Sequence, residues 1–130
     1  MALQESGEMY LETIYVLSLQ SEVVRAVDIG KEMGFSKPSV SRAVGLLKDE
    51  GFININHEKK ISLTDTGATL AKRIYERHTV LSKLFMDLGV DEETATEDAC
   101  RIEHYISDKT FNAIKAHMEK YSQKKDNVAL

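Results

Sequence analysis

Apolar residues recur at helical spacing in the first part of the chain. The segment from about Glu8 to Leu19 is apolar on most faces and predicts one helix, and residues 26–33 predict a short second helix that ends at Gly34. A third helix is predicted from Ser36 to Gly51. The Ser36 hydroxyl can cap it, and Pro38 lies in its first turn, where a missing N–H costs little.

The pattern changes between residues 52 and 63, where apolar residues alternate around a polar Asn-His-Glu-Lys-Lys tip and predict a small β-hairpin. Helical spacing then returns. Capping residues predict three further helices, from Thr64 or Asp65 to Gly89, from Asp91 through about Ile106, and from Asp108 through Tyr121. The last nine residues, SQKKDNVAL, are expected to fray.

The second and third helices have the spacing of a helix-turn-helix. Ile29 and Met33 face inward from the first of them, Gly34 makes the turn, and the second is anchored by Val40, Val44 and Leu47. A plain helical hairpin with a charged outer face is the alternative interpretation. The β-hairpin that follows lies where a winged helix has its wing, and this favours a DNA-binding element.

The outer, N-terminal part of the second helix is where a recognition helix presents donors to DNA. Arg42 is the candidate for a base contact, whereas the remaining candidates are expected to contact phosphates or an adjacent groove. The predicted DNA-binding residues are Ser36, Lys37, Pro38, Ser39, Ser41 and Arg42 in the helix and His57, Lys59 and Lys60 at the hairpin tip.

Composition agrees with a globular protein of 130 residues, 42% hydrophobic and 29% charged, long enough for one compact unit or two small ones. No apolar stretch has the length of a membrane span and the first residues lack a signal-peptide pattern, so we expect a cytoplasmic protein. The net charge of −4 argues against a protein that coats nucleic acid indiscriminately. Residues 21–63 hold seven Lys/Arg and six Asp/Glu, whereas residues 91–98 hold five acids, as in a DNA reader with a separate cation-binding half.

Sulfur, nitrogen and oxygen ligands occur together in the chain. Cys100, Glu103 and His104 stand at i, i+3 and i+4, which places them on one face of the predicted helix. Met9 and Glu12 share the first helix, and His78 lies on the long one. Such a mixed donor set suits a borderline transition metal better than calcium or magnesium.

Taken singly, these residues have simpler interpretations. Met9 and Cys100 are typical core residues, His104 could be a hydrogen-bonded core histidine, and His78 could lie at the surface with Arg73 and Arg77. Their joint occurrence with a DNA-binding element favours the metal interpretation.

Four segments, EMYLETIY, LTDTGATLAKRIYERHTVL, GVDEETA and ACRIEHYIS, give the chain a resemblance to the diphtheria-toxin-repressor family of iron- and manganese-dependent regulators. The resemblance implies a mainly α fold: a winged helix-turn-helix over residues 1–63, then an all-helical dimerisation and metal-binding domain over residues 64–130. It also implies a homodimer that represses metal-homeostasis genes by binding a palindromic operator when metal is bound, with no membrane or small organic substrate as partner. Residues available for the dimer interface are Leu84, Phe85, Ile102, Ile106 and Phe111.

The ligand set combines two branches of that family. By resemblance, the iron branch's primary site matches Met9, Cys100, Glu103 and His104, and the manganese branch's second metal position matches Glu12, His78 and Glu103. By resemblance we expect the short two-domain form, similar in length to the manganese regulators and lacking the SH3-like domain of the iron branch. Because Mn²⁺ is the weakest binder in the Irving–Williams order and prefers oxygen, the sulfur donors predict Fe²⁺ first and Mn²⁺ second.

Two rival functions remain at this point. A metal-independent winged-helix regulator whose Cys100 senses oxidation predicts control by thiol oxidants and insensitivity to chelators. A small zinc enzyme using the Cys/Glu/His set is the other, but the sequence offers no convincing general base once Glu103 is a ligand. We therefore expect a regulator and not an enzyme.

Overall fold

The computed structural model describes residues 4–128, and side chains from Gln4 through Tyr121. This part of the chain contains six helices and one two-stranded antiparallel sheet, which confirms the predicted mainly α fold and its order. The elements are α1 (Glu5–Gln20), α2 (Ala26–Met33), α3 (Lys37–Asp49), β1 (Ile53–Ile55), β2 (Ile61–Leu63), α4 (Asp65–Asp87), α5 (Glu92–Ile102) and α6 (Asp108–Val128).

The chain divides into two compact units between Ile74 and Tyr75, inside α4. The first unit contains α1 to α3, the hairpin and the beginning of α4, and the second contains the rest of α4 with α5 and α6. The domain boundary expected after residue 63 lies between β2 and α4, where the hairpin ends and the long helix begins. This boundary stays a prediction.

The core of the first unit lies between α1 and the helix-turn-helix. Ile29 of α2 is fully buried, and Val40, Val44 and Leu47 of α3 are at most 4% exposed. Met33 packs against this cluster, so both helices face inward as predicted. Each aliphatic side chain so buried stabilises the unit by about 1.5–3 kcal/mol. Gly34 ends α2 in the left-handed conformation with φ 71°, which a residue without Cβ adopts readily.

Side-chain hydrogen bonds fix the start of α3 and the wing. The Ser36 hydroxyl accepts from the Ser39 amide at 3.4 Å, the predicted N-cap. In the hairpin, Asn56 Oδ1 accepts from two amides of the tip at 2.9 Å each. The Ile61 amide donates to the Val24 carbonyl at 2.8 Å, so the wing is anchored to the segment before α2.

The start of α4 packs directly on the backbone at the entrance to β1. The Thr64 amide donates to the Phe52 carbonyl at 3.1 Å, and the Thr64 hydroxyl donates to the Gly51 carbonyl at 2.7 Å. Gly67, in the first turn of α4, is buried against the same peptide: a Cβ built there would lie 1.9 Å from the Phe52 carbonyl oxygen. No side chain larger than hydrogen fits at this position without displacing backbone.

In the second unit, Asp91 caps α5 as predicted, accepting from the Thr94 amide at 3.0 Å. That hydrogen bond lowers the pKa of the Asp91 carboxyl below its usual value. Because the folded-state pKa is the lower one, the cap stabilises the fold above the unfolded-state pKa, and this contribution is lost as the pH falls through the folded-state pKa.

The expectation that this helix runs through Ile106 is wrong, because α5 ends at Ile102. The Glu103 amide still donates to Ala99 at 2.9 Å, but the Tyr105 amide bonds only three residues back, to Ile102. A tight turn therefore follows. Ser107, not Asp108, then caps α6, accepting from the Thr110 amide at 3.2 Å.

Helix α6 extends to Val128, beyond the Tyr121 end predicted from the sequence, so most of the segment expected to fray is helical. Residues 129 and 130 of that segment lie outside the described residues.

Candidate metal centre and nucleic-acid interface

Three predicted metal ligands lie together in the second unit. Glu103 Oε2 is 3.0 Å from Nδ1 of His78 on α4, and Glu103 Oε1 is 3.4 Å from Nε2 of His104. The carboxylate thus stands between two imidazole rings. The side chain of Glu103 is 0% exposed, that of His104 1% and that of His78 20%.

This cluster has the donor chemistry of a divalent transition-metal site. A carboxylate removed from water is costly unless cations or hydrogen-bond donors compensate it, and imidazole nitrogens and a metal ion both do so. Imidazole and carboxylate are common ligands for iron, manganese and zinc in proteins. The chemistry of these three side chains therefore fits a bound divalent metal, and their role as its ligands stays a prediction.

The prediction that Cys100, Glu103 and His104 share one face of a helix is wrong. Glu103 and His104 are in the turn after α5 and not on the helix face that the i, i+3, i+4 spacing assumed. Glu103 keeps right-handed helical torsion angles, φ −56° and ψ −26°, so it still follows the last turn of α5, which carries Cys100. The Cys100 thiol is half-buried.

The other two predicted ligands belong to the first unit. Met9 and Glu12 lie one turn apart on α1, and both are half-buried. The predicted ligand set thus takes two residues from the first unit and four, His78, Cys100, Glu103 and His104, from the second.

Arg77 is buried beside this cluster. Arg77, the neighbour of His78, is only 8% exposed, whereas Arg73 one turn earlier is exposed. The simpler alternative, in which His78 lies at the surface with Arg73 and Arg77, therefore does not hold for Arg77. Its acceptors follow 26 to 31 residues later in the chain, so no local pattern in the sequence indicates its burial.

The helix-turn-helix presents the predicted DNA-binding residues outward. Ser36, Lys37, Pro38, Ser41 and Arg42 are exposed around the first two turns of α3. Ser39 is half-buried; its hydroxyl accepts from the Ser36 hydroxyl at 2.9 Å, and its amide donates to the same hydroxyl. Buried valines lie on the opposite side of the helix, so the exposed face is free of a packing role.

At the wing tip, sequence reasoning missed the role of Glu58. His57 and Lys59 are exposed and Lys60 is half-buried, but the Glu58 carboxylate lies 3.2 Å from the Lys60 ammonium and 3.8 Å from His57 Nε2. Such exposed pairs contribute about 0–1 kcal/mol each. The Glu58 backbone carbonyl also accepts from Arg25 Nε at 3.3 Å, which ties the tip to the start of α2.

The residues expected at a dimer interface differ in their exposure within one chain. Ile102 is 38% exposed, and Leu84, Phe85 and Ile106 are half-buried. Phe111 is 5% exposed, with its ring beneath the Arg77 guanidinium, so it has little surface left for a partner. Among the helices of residues 4–128, none combines the length and apolar character that a bilayer crossing requires.

Two known domain families match the chain, and together they span nearly all of it. Residues 2–61 match the family described as "Iron dependent repressor, N-terminal DNA binding domain", and residues 64–127 match "Iron dependent repressor, metal binding and dimerisation domain". The chain belongs to the iron-dependent repressor family. The resemblance found in the sequence is thereby confirmed.

Two known transcriptional regulators are similar to this repressor over most of its length. It is 32% identical over 107 residues to the diphtheria toxin repressor of Corynebacterium diphtheriae, a match that covers 82% of this chain and 47% of that protein. It is 32% identical over 112 residues to the transcriptional regulator MntR of Salmonella typhimurium, and this match covers 86% of this chain and 71% of that protein.

The structure of the manganese regulator SloR superposes with a TM-score of 0.78 at 28% identity, covering 92% of this chain and 55% of that one. This repressor thus spans about half the length of SloR and of the diphtheria toxin repressor. Its family is one of metal-dependent transcriptional repressors whose domains bind DNA and dimerise.

Proposed function

We propose that this repressor responds to Fe²⁺, with Mn²⁺ second, and that its metal-bound homodimer represses metal-homeostasis genes from a palindromic operator. The observation that supports a metal response in this chain is the buried Glu103 carboxylate between His78 and His104. These residues hold the metal in our proposal, and Cys100, Met9 and Glu12 complete the ligand set.

The preference for iron follows from the two sulfur donors. The Met9 thioether and the Cys100 thiolate are softer ligands than carboxylates, and Mn²⁺ is the weakest binder in the Irving–Williams order. Fe²⁺ accepts both sulfur and nitrogen ligands, so replacing carboxylate donors by sulfur donors favours the binding of Fe²⁺ over that of Mn²⁺. A thiol and a protonated imidazole must each lose a proton before they bind metal, so metal affinity is expected to fall at low pH.

Metal activates only by binding the DNA-competent state better than the alternative. Met9 and Glu12 lie on α1, which precedes the helix-turn-helix, whereas the remaining ligands lie in the second unit. Occupancy of the full ligand set thus depends on the helix that supports the DNA-binding residues. In the dimer this favours the arrangement whose recognition helices reach half-sites about 34 Å, or a multiple of it, apart.

Replacing Cys100 by aspartate is expected to shift the metal preference toward Mn²⁺, because an oxygen donor replaces a soft one. The measurement is anaerobic operator binding as a function of free Fe²⁺ and free Mn²⁺ for wild type and Cys100→Asp. Cys100→Ser is the control for loss of the thiolate without a new charge. An unchanged ratio of the two metal responses in Cys100→Asp contradicts the role of Cys100.

An Arg42→Ala variant is expected to bind the operator about tenfold or more weakly and to discriminate less at one base pair, as for loss of a good base contact. The Arg42 side chain is exposed, so the fold is expected to be unchanged. Lys48→Ala, near the opposite end of α3, is the matched control. An equal loss of affinity for the operator and for random DNA would show that Arg42 contacts phosphate and not a base.

A further inference from the structure

Arg77 makes four contacts with one short segment of the second unit. Its NH1 group donates to the carbonyl of Glu103 at 3.2 Å and to that of Ile106 at 2.6 Å. Its NH2 group pairs with the Asp108 carboxylate. The guanidinium carbon lies 5.3 Å from the centre of the Phe111 ring, a cation–π contact in a site that is 8% exposed.

The two carbonyls belong to the turn that joins α5 to α6. Carbonyls at a helix end lack intrahelical partners and, when buried, need another donor. Arg77 supplies that donor to both, and its planar fork reaches them together with the carboxylate at the start of α6. The path of the turn is therefore set by α4.

Glu103 is consequently held from two sides by neighbouring residues of one helix. Arg77 binds its backbone carbonyl, and His78 faces its carboxylate at 3.0 Å. A shift of the turn would carry the Glu103 carboxylate and the His104 ring with it. The orientation of these side chains thus depends on Arg77, although Arg77 carries no metal-binding atom.

We infer that Arg77 is a positioning residue for the metal centre: it fixes the Glu103–Ser107 turn and thereby sets the coordination geometry and the metal affinity. This inference rests on the proposed function, in which His78, Glu103 and His104 hold the metal. Groups that orient metal ligands from outside the coordination shell typically change affinity by about 10–100-fold when removed.

Arg77→Lys is the variant that tests this, because lysine keeps the charge but has no planar fork to reach two carbonyls and a carboxylate together. Co²⁺ is the probe, added anaerobically to the metal-free full chain. The readouts are the visible d–d spectrum, the Co²⁺ affinity in competition with a chelator, and hydrogen exchange at the Tyr105 and Ile106 amides before metal is added.

The expected result for Arg77→Lys is a changed Co²⁺ spectrum, an affinity about 10–100-fold lower and faster exchange in the turn. Lys115→Gln is the matched control, because it breaks an ion pair between the same two helices, α6 and α4, with Lys115 Nζ 2.7 Å from Glu76 Oε1. All three readouts are expected to stay at wild-type values in that control.

An Arg77→Lys protein with a lower thermal midpoint but wild-type Co²⁺ spectrum and affinity overturns the inference and leaves Arg77 a purely structural residue. If Arg77→Lys does not fold, Asp108→Asn is the second variant, because it alters a single partner of the guanidinium. Smaller changes in the Co²⁺ spectrum, the Co²⁺ affinity and the exchange rates of the turn are then expected, and their absence overturns the inference. A wild-type Co²⁺ spectrum that survives His78→Ala and Glu103→Gln instead refutes the proposed metal centre itself.

Discussion

Glu103→Gln is expected to abolish metal-dependent operator binding while the metal-free protein stays folded. The carboxylate stands between two imidazoles in a fully buried position, so the substitution removes a charged ligand that neighbouring water cannot replace. Metal affinity is expected to fall by more than the roughly 10–100-fold typical of groups outside the coordination shell. Glutamine has nearly the same size and can bond to neutral imidazole, so the metal-free fold is expected to tolerate it.

Glu97→Gln, an exposed position on α5, is the control for loss of one negative charge in this half of the chain. Metal affinity is measured by anaerobic competition titration, folding by circular dichroism and operator binding by anisotropy. Wild-type metal activation in Glu103→Gln would show that the His78–Glu103–His104 cluster is a structural ion-pair network and would remove the observation on which the proposed function rests.

Gly67→Ala is expected to destabilise the first unit severely, by at least about 3 kcal/mol, a large part of the typical stability of a small domain. The added Cβ would lie 1.9 Å from the carbonyl oxygen of Phe52 and 2.9 Å from its carbonyl carbon, closer than atoms can approach. Both are backbone atoms, so no rotation of a side chain relieves the overlap. The Thr64 bonds to Gly51 and Phe52 would have to break or shift instead.

Gly45→Ala is the matched control, since a Cβ on this α3 residue meets nothing within 4 Å. Alanine in a helix interior is expected to stabilise the fold by roughly 0.5–1 kcal/mol. Free energies of unfolding are measured in urea on metal-free protein, so that metal binding does not contribute. A Gly67→Ala protein as stable as wild type would contradict the packing of α4 on the entrance to β1.

The parts of the fold that the sequence predicted well are those with a local physical cause. Gly34 ends α2 because the left-handed conformation favours glycine, and the Ser36 and Asp91 caps mark the starts of α3 and α5. The end of α5 was predicted four residues too late. At that end the contacts are tertiary, because Arg77 donates to the carbonyls of Glu103 and Ile106 from 26 and 29 residues away, and no local pattern in the sequence predicts them.

The candidate site was predicted in its residues more accurately than in its geometry. The structure brings His78, Glu103 and His104 together, although two of them lie beyond the helix on which their spacing was interpreted. The burial of Arg77 and the pairing of Glu58 with the wing cations were missed, because each depends on side-chain contacts that periodicity does not encode. Both are visible only once the chain is folded.

In the proposed function, Fe²⁺ occupancy controls operator binding. The most direct test of this control is anaerobic fluorescence anisotropy of a labelled operator with chelated wild-type protein, titrated separately with Fe²⁺ and Mn²⁺. We expect no specific binding by the chelated protein and activation by Fe²⁺ at much lower free metal than by Mn²⁺. An equal or stronger Mn²⁺ response contradicts the role of the sulfur donors, and operator binding that ignores the chelator contradicts metal control altogether.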